Sequence, residues 1–282
     1  MNRSITIEAF NDIERFKKEL GWVKDAGFRT VGLLMWTNTC AREDIADYMK
    51  AIKEELDRQG MRCMQTHLPC YSFFQSSETT DEFMDRAIDN GVKAAAMVGA
   101  DWAVYHPRTA VSSGYDWRLS FEHNKEALKP LLETAEKWGT GVAVENIPIF
   151  PDCPRHRWYS SDPDDLCEIV DYFESDRIGI CWDTGHANLM SFDQPKVIRQ
   201  LGKRIKATHI SSNYKEQDWH LPPLFGYIDM QKIMEALRDT GYDRDLNLEL
   251  TNVIERARAN YYRLCFDSAT ILQEMFQGTY EG

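Results

Sequence analysis

No run of about 18 apolar residues occurs in the chain, so no segment is built to cross a bilayer as a helix. The stretch Met1 to Leu20 carries charges throughout and has no apolar block of the secretory kind, which sets a cytoplasmic expectation. Cys-x-x-Cys spacing is also missing. The seven cysteines are scattered and odd in number, a pattern of free thiols in a reducing compartment, each read first as a small buried hydrophobe. Positive charge is in deficit, with 33 Lys and Arg against 45 Asp and Glu and a net charge of −12. Such a balance gives no global field for polyanions and argues against nucleic acid, although a local metal cluster can offset a carboxylate-rich mouth. The Gly-rich fingerprint that cradles a dinucleotide does not follow the first strand, so no nucleotide cofactor is expected. Linkers, low-complexity tracts and charge blocks are lacking too, which reads as one domain over residues 1–282.

What remains is an alternation of short apolar strands with amphipathic helices. Strands are predicted over Ser4–Phe10, Thr30–Trp36, Met61–His67, Trp102–His106, Gly141–Glu145, Arg177–Asp183, Arg204–Ile210 and Asp245–Leu250. Helices are predicted over Asp12–Ala26, Glu43–Gln59, Thr80–Val98, Leu119–Trp138, Pro163–Phe173, Gln194–Gly202, Met230–Asp239 and Val253–Glu274. Eight such units in about 250 residues fit an α/β chain closed as a single (β/α)8 TIM barrel better than an open doubly wound sheet.

The chemistry-bearing residues fall where that fold places its chemistry, at the C-terminal ends of the strands. His67, His106, Glu145 and Asp183 end strands three to six, and His209 and Glu249 lie near the ends of strands seven and eight. Five of the seven histidines, His67, His106, His186, His209 and His220, fall on this rim. A single histidine capping a strand is as readily structural as functional, but chance accounts poorly for the set. Carboxylates gathered at one mouth repel one another unless a cation joins them. In Ile180–Ala187 the Thr184-Gly185 turn is expected to bring His186 back over the mouth beside Asp183. Glu145, Asp183, His209 and Glu249 come from consecutive strands and can surround one divalent ion, with Mn, Mg, Co and Zn all suited to that donor mix. His67, His106, His186, Asp218 and His220 form a second ring that can hold substrate hydroxyls, orient other ligands or bind further metals. Asp218 and His220 are two apart before Pro222-Pro223, so an extended segment would turn both to the pocket.

The succession HPR at His106, VEN at Glu145, WDTGHA at Asp183 and His186, THI at His209, DWHLPP and GYID across Asp218–Asp229, and LELT at Glu249 resembles the xylose-isomerase-like sugar phosphate isomerase/epimerase superfamily over essentially the whole chain. That resemblance implies a TIM barrel, a single metal on Glu145, Asp183, His209 and Glu249, and an acid/base role for the two glutamates. The superfamily also includes inosose dehydratases and endonuclease IV, whose three-zinc pattern is similar to nine positions here: His67, His106, Glu145, Asp183, His186, His209, Asp218, His220 and Glu249. Asn146-Ile147-Pro148-Ile149-Phe150-Pro151 stands where endonuclease IV has a glycine-rich segment, and Leu221-Pro222-Pro223 where its histidine–aspartate loop runs into glycine. The basic cluster Arg155-His156-Arg157 is short for a DNA enzyme. Ketose epimerases carry an arginine shortly after the strand-seven histidine, where this chain has Asn213 and Lys215.

The resulting expectation is a metal-dependent sugar, sugar phosphate or polyol isomerase or epimerase, working through a metal-stabilised enediolate. Glu145 and Glu249 would move the proton and His186 would polarise the carbonyl or carry a proton between oxygens. Tyr71, Phe73 and Phe74 would either cover the apolar faces of a sugar or pack their loop onto the barrel. Arg108 would hold a phosphate or carboxylate, or simply be solvated. The long loop with Arg155, His156, Arg157 and Trp158 suits a lid or a homo-oligomer contact. The rival readings are an endonuclease IV-like phosphodiesterase on abasic DNA, an inosose dehydratase-type lyase, and a non-catalytic metal- or carbohydrate-binding barrel.

Overall fold

The computed structural model describes residues 1–70, 82–110, 117–149, 158–250 and 258–282. Its elements run β1 (Arg3–Glu8), α1 (Ile13–Ala26), β2 (Thr30–Leu34), α2 (Thr37–Cys40), α3 (Ile45–Gln59) and β3 (Arg62–His67). They continue with α4 (Glu82–Met97), β4 (Trp102–Tyr105), α5 (Trp117–Trp138), β5 (Gly141–Glu145), α6 (Pro163–Tyr172) and β6 (Ile178–Asp183). After these come α7 (Thr184–Leu189), α8 (Gln194–Leu201), β7 (Ile205–His209), α9 (Met230–Asp239), β8 (Leu246–Leu248) and α10 (Arg258–Gln277).

All eight strands are parallel, in the order β7-β6-β5-β4-β3-β2-β1-β8. The ends of this sheet meet through a parallel bridge between Ile210 and Leu248, with Ile210 N–H donating to Asn247 O at 2.8 Å and Glu249 N–H to Ile210 O at 3.2 Å. The sheet is thus the nearly closed (β/α)8 TIM barrel that the alternation predicts.

Helix boundaries follow local chemistry. The Asp12 carboxylate accepts from the N–H groups of Glu14 and Arg15 to start α1, and Gly60 takes the left-handed conformation that ends α3. Asp162, Asp193 and Asp229 cap α6, α8 and α9 in the same way, the first two ahead of a proline in the opening turn.

Strand alternation sorts two cores. One face of the sheet packs under the helices with Val31, Leu33, Val142, Val144, Ile180 and Trp182. The other face gathers Trp102, Val104, Ala143, Cys181 and Ala207 in a small inner cluster. Gly141 is required there, since a Cβ would collide with the Trp102 ring. Two residues further along the same strands come His106, Glu145, Asp183 and His209, so the period of two that fills the barrel floor also delivers the polar rim above it.

Differences from the sequence expectation are local. Strand β2 ends at Leu34, and Thr37–Cys40 form a helix too short to leave a periodic signal. Strand β4 ends at Tyr105, one residue before His106. Strand β8 is only three residues long, leaving Asp245 and Glu249 just outside it. The expected start of the last helix, residues 253–257, lies outside the described residues.

Candidate active site

The rim residues converge. One ligand atom from each of Glu145, Asp183, His209 and Glu249 lies within 4.8 Å of the other three, and all four residues are buried. Glu145 Oε1 is 2.9 Å from His209 Nδ1, and Glu249 Oε2 is 3.3 Å from the same nitrogen. The other carboxylate oxygen, Glu145 Oε2, is 2.9 Å from His106 Nε2 and 3.5 Å from His67 Nε2. Asp218 Oδ2 sits between His186 Nε2 at 3.1 Å and His220 Nε2 at 2.9 Å. The nine positions of the two expected rings therefore line one mouth.

Backbone groups hold them there. Asp183 is the N-cap of α7, its Oδ1 accepting from His186 N–H at 2.6 Å. The expected Thr184-Gly185 turn is thus the first turn of a helix, and capping ties His186 to Asp183. Asn146 locks the ends of β5 and β6: its Oδ1 accepts from Asp183 N–H at 2.6 Å and its Nδ2 donates to Asp183 O at 2.9 Å. The segment holding Asp218 and His220 is not extended as expected, because His220 has φ of +43°. For a non-glycine residue that costs roughly 1–3 kcal/mol. It is held by the paired bonds between Ser212 and Leu221, both 2.9 Å, and by His220 Nδ1 donating to Glu249 O at 3.0 Å.

Three imidazoles share one arrangement. His67 Nδ1 faces Leu68 O at 2.8 Å, His186 Nδ1 faces Asn146 O at 2.8 Å and His220 Nδ1 faces Glu249 O at 3.0 Å. A carbonyl only accepts, so Nδ1 carries a proton in each and the neutral ring turns the Nε2 lone pair to the mouth. Lone pairs of His186 and His220 then point at a carboxylate oxygen, which is repulsive unless a proton or a cation stands between them. Asp183 Oδ2 and Asp218 Oδ1 are buried with no hydrogen-bond partner among the described residues. Orphaned carboxylate oxygens beside inward-facing imidazoles are the donor set of a divalent cation, and these residues fit one.

Electrostatics agree. Burial pushes the Glu145 carboxyl up, but His209 and His106 reverse this and hold it well below the usual carboxylate range. Burial pushes Asp183 up to about 6, opposed by His186 and reinforced by Glu145, Asp218 and Glu249. Burial also works against charging the imidazoles, yet the Cys70 and Glu145 groups lift His106 to about 9, and Asp218 and Glu249 lift His220 to about 10.

Two positions escape the sequence reading. Asn146 positions Asp183 and, through its carbonyl, His186, and its only signal is its place directly after Glu145. Cys70 is not a buried spacer: its ligand atom lies within 4.8 Å of those of His67 and His106. Its signal is the His67-x-x-Cys70 spacing. Arg108 is elsewhere, its guanidinium bonded to Asp85 and lining a cavity of about 380 Å³ with Ile88, His123 and Leu131. This puts it between α4 and α5, away from the ring of donors. Tyr71, Phe73, Phe74 and Arg155–Arg157 lie outside the described residues, whereas Trp158 is buried.

Residues 20–264 match the xylose isomerase-like TIM barrel family. The chain belongs to that family. It is 34% identical over 191 residues to the uncharacterized protein y4fM of Sinorhizobium fredii, covering 67% of this chain and 60% of that protein. It is 27% identical over 176 residues to the uncharacterized protein MJ1311 of Methanocaldococcus jannaschii, covering 61% of this chain and 58% of that protein. These alignments thus span about three fifths of each relative's length. Among solved structures, a D-tagatose 3-epimerase-like protein superposes with a TM-score of 0.77 at 22% identity, covering 100% of this chain and 99% of that one. An L-ribulose 3-epimerase gives 0.77 at 16%, covering 99% and 96%. At such identities the likeness is one of fold.

Proposed function

We propose that this family member is a metal-dependent isomerase or epimerase of a sugar, sugar phosphate or polyol, acting by proton transfer at a carbon next to a carbonyl. The observation that carries the reading is the pair Glu145 and Glu249. Two carboxylates from separate strands stand on the same imidazole, 2.9 and 3.3 Å from His209 Nδ1, within one four-donor group. The epimerase fold shared with the solved structures supports the same substrate class.

Glu145, Asp183, His209 and Glu249 would hold a divalent ion (Mn, Zn, Mg or Co), which when bound supplies charge stabilisation for substrate oxygens. Either glutamate then takes the proton from one face of the carbon, and the other returns it. Having both gives epimerisation without a swivelling substrate. His186, anchored by Asn146 O and α7, carries a proton at Nε2 to or from a substrate oxygen. The buried mouth limits water and strengthens each of these contacts.

A second reading has an observation of its own. Of the overlapping donor groups among the described residues, three share no residue with one another: the four-donor set, His67 with Cys70 and His106, and His186 with Asp218 and His220. Such a count favours an endonuclease IV-like phosphodiesterase, while the net charge of −12 weighs against a polyanionic substrate. The two readings separate in deuterated water. Incubating the metal-loaded protein with a panel of ketoses and inososes should place solvent deuterium on the sugar carbon, read by mass spectrometry. Cleavage of an abasic oligonucleotide with no deuterium uptake by any sugar would reverse the assignment.

A further inference from the structure

We propose that the loop between β7 and α9 carries a docking face for a second copy of this chain, centred on Tyr214, Leu224, Phe225 and Tyr227. The face stands beside the mouth, on the loop that also carries Asp218 and His220, and the inference holds whichever reaction the mouth performs.

Exposure comes first. Eleven large apolar side chains stand exposed among the described residues. Five of them, Tyr214, Trp219, Leu224, Phe225 and Tyr227, fall in this one loop and are 40–69% exposed. Single exposed apolar residues are ordinary, whereas a gathered set marks a contact surface. Tyr214 and Tyr227 meet edge to face with ring centroids 5.1 Å apart, and Leu224 and Phe225 lie on the turn that leads into Tyr227.

Backbone bonds fix this face in place. Ser212 and Leu221 pair through two bonds of 2.9 Å, Phe225 N–H donates to Pro222 O at 2.9 Å, and Tyr227 N–H donates to Asn213 O at 3.1 Å. Gly226, with φ of +86°, is required at that crossing, because a Cβ would stand 2.5 Å from Asn213 O. Asn213 is itself buried, and its Nδ2 donates to Gly185 O at 2.9 Å. An apolar surface ordered before contact loses little further entropy on association.

Area and charge select the occupant. A large aromatic side chain buries about 150–250 Å², so five large side chains roughly half exposed offer roughly 400–500 Å² of apolar surface. A standard interface buries about 800 Å² per partner, somewhat over half of it apolar, so this face supplies the apolar share of one side. The exposed charges between residues 214 and 227 are Lys215 and Glu216, which cancel. In a chain of net charge −12, a locally neutral face is where a like-charged copy approaches at least cost. A two-fold contact is self-complementary, and there Lys215 of each copy can face Glu216 of the other. The loop expected to make such a contact contributes only Trp158 to the described residues, and that side chain is buried.

The test is sedimentation velocity of the full chain over a concentration series, as wild type, Phe225→Glu, Tyr227→Glu and Trp138→Glu. Trp138 is the control, an exposed aromatic at the C-terminal end of α5, which lies at the opposite end of the barrel. Wild type and Trp138→Glu should sediment as dimers. Each loop variant should raise the dissociation constant about 30-fold or more, the usual worth of an aromatic anchor in an interface. A wild type that is monomeric at every concentration would give the face to a partner of another kind and overturn the proposal. A dimer that both loop variants leave intact, or that Trp138→Glu weakens equally, would overturn it too. Should Phe225→Glu fail to fold, Tyr227→Glu decides, since Tyr227 is the most exposed of the five.

Discussion

Glu145 stands between two imidazoles, its Oε1 2.9 Å from His209 Nδ1 and its Oε2 2.9 Å from His106 Nε2. On the proposed function, a carboxylate shared in this way would serve as both a ligand and a base. Replacing Glu145 by Gln keeps the shape and removes the charge. Turnover, read as deuterium uptake by the responding sugar, should fall roughly 10²–10⁴-fold, the usual worth of a positioned general base. Activity within a few-fold of wild type would take Glu145 out of the proton path.

Asp183 caps α7 and, on the proposed function, would hold the metal, and different substitutions separate the two. Asp183→Asn preserves an oxygen for His186 N–H and therefore the cap of α7, since Asn and Asp cap about equally well. It should weaken metal binding with little change in the melting of the metal-free protein. Asp183→Ala loses the cap as well, adding a destabilisation of about 1 kcal/mol. Isothermal metal titration beside urea denaturation of the two variants reads the split.

Asn146 pairs with both backbone groups of Asp183, and its carbonyl accepts from His186. Asn146→Ala leaves the Asp183 N–H and C=O without these partners in a buried place. Stability should drop by about 1–3 kcal/mol, the range for an orphaned buried polar group. Metal affinity should fall about 10–100-fold, as for other residues that orient ligands. Urea melts and metal competition titrations measure the two effects.

The metal-free protein should lose stability on the alkaline side. His67, His106, His186, His209 and His220 all have raised pKa values, His106 at about 9 and His220 at about 10. A raised imidazole pKa contributes stability that is whole below the unfolded value near 6.5 and is lost as pH rises through the folded one. Asp183, raised to about 6, acts in the same sense at lower pH, between the unfolded carboxyl value and about 6. The Cys70 thiol, which burial would raise but which His106 and His67 bring down to about 6, opposes the trend over the histidine range, one group against five. Melting temperature of the chelated protein should therefore decline from about pH 6.5 to about pH 10. Metal loading should flatten that decline and release protons, which calorimetry in buffers of different ionisation enthalpy detects.

Much of the barrel is legible in the chain because strand and helix have different periods. Gly141–Glu145 and Met230–Asp239 run as the alternation and the amphipathic pattern predict. The inward set His67, Glu145, Asp183 and His209 follows from the same period of two. Thr37–Cys40 is invisible there because one turn of helix has no period to detect. Thr184-Gly185 reads as a turn in sequence, and only the Asp183 cap makes it helical. Asn146 escapes because its partners, the backbone of Asp183 and Nδ1 of His186, belong to another strand and helix that no spacing along the chain reveals. Cys70 has His67 three residues back, but its other neighbour, His106, comes from the adjacent strand end.

The bridge between Ile210 and Leu248 has a consequence for the rim. Along this joint the barrel is stitched by few hydrogen bonds, and His209 and Glu249 stand on its two sides. An ion gripping both would act as a clasp, fastening the least secured seam of the cylinder from above. Loading would then be felt as slower amide exchange at Ile210 and Glu249, whose N–H groups cross that seam, while the distant strands barely register it.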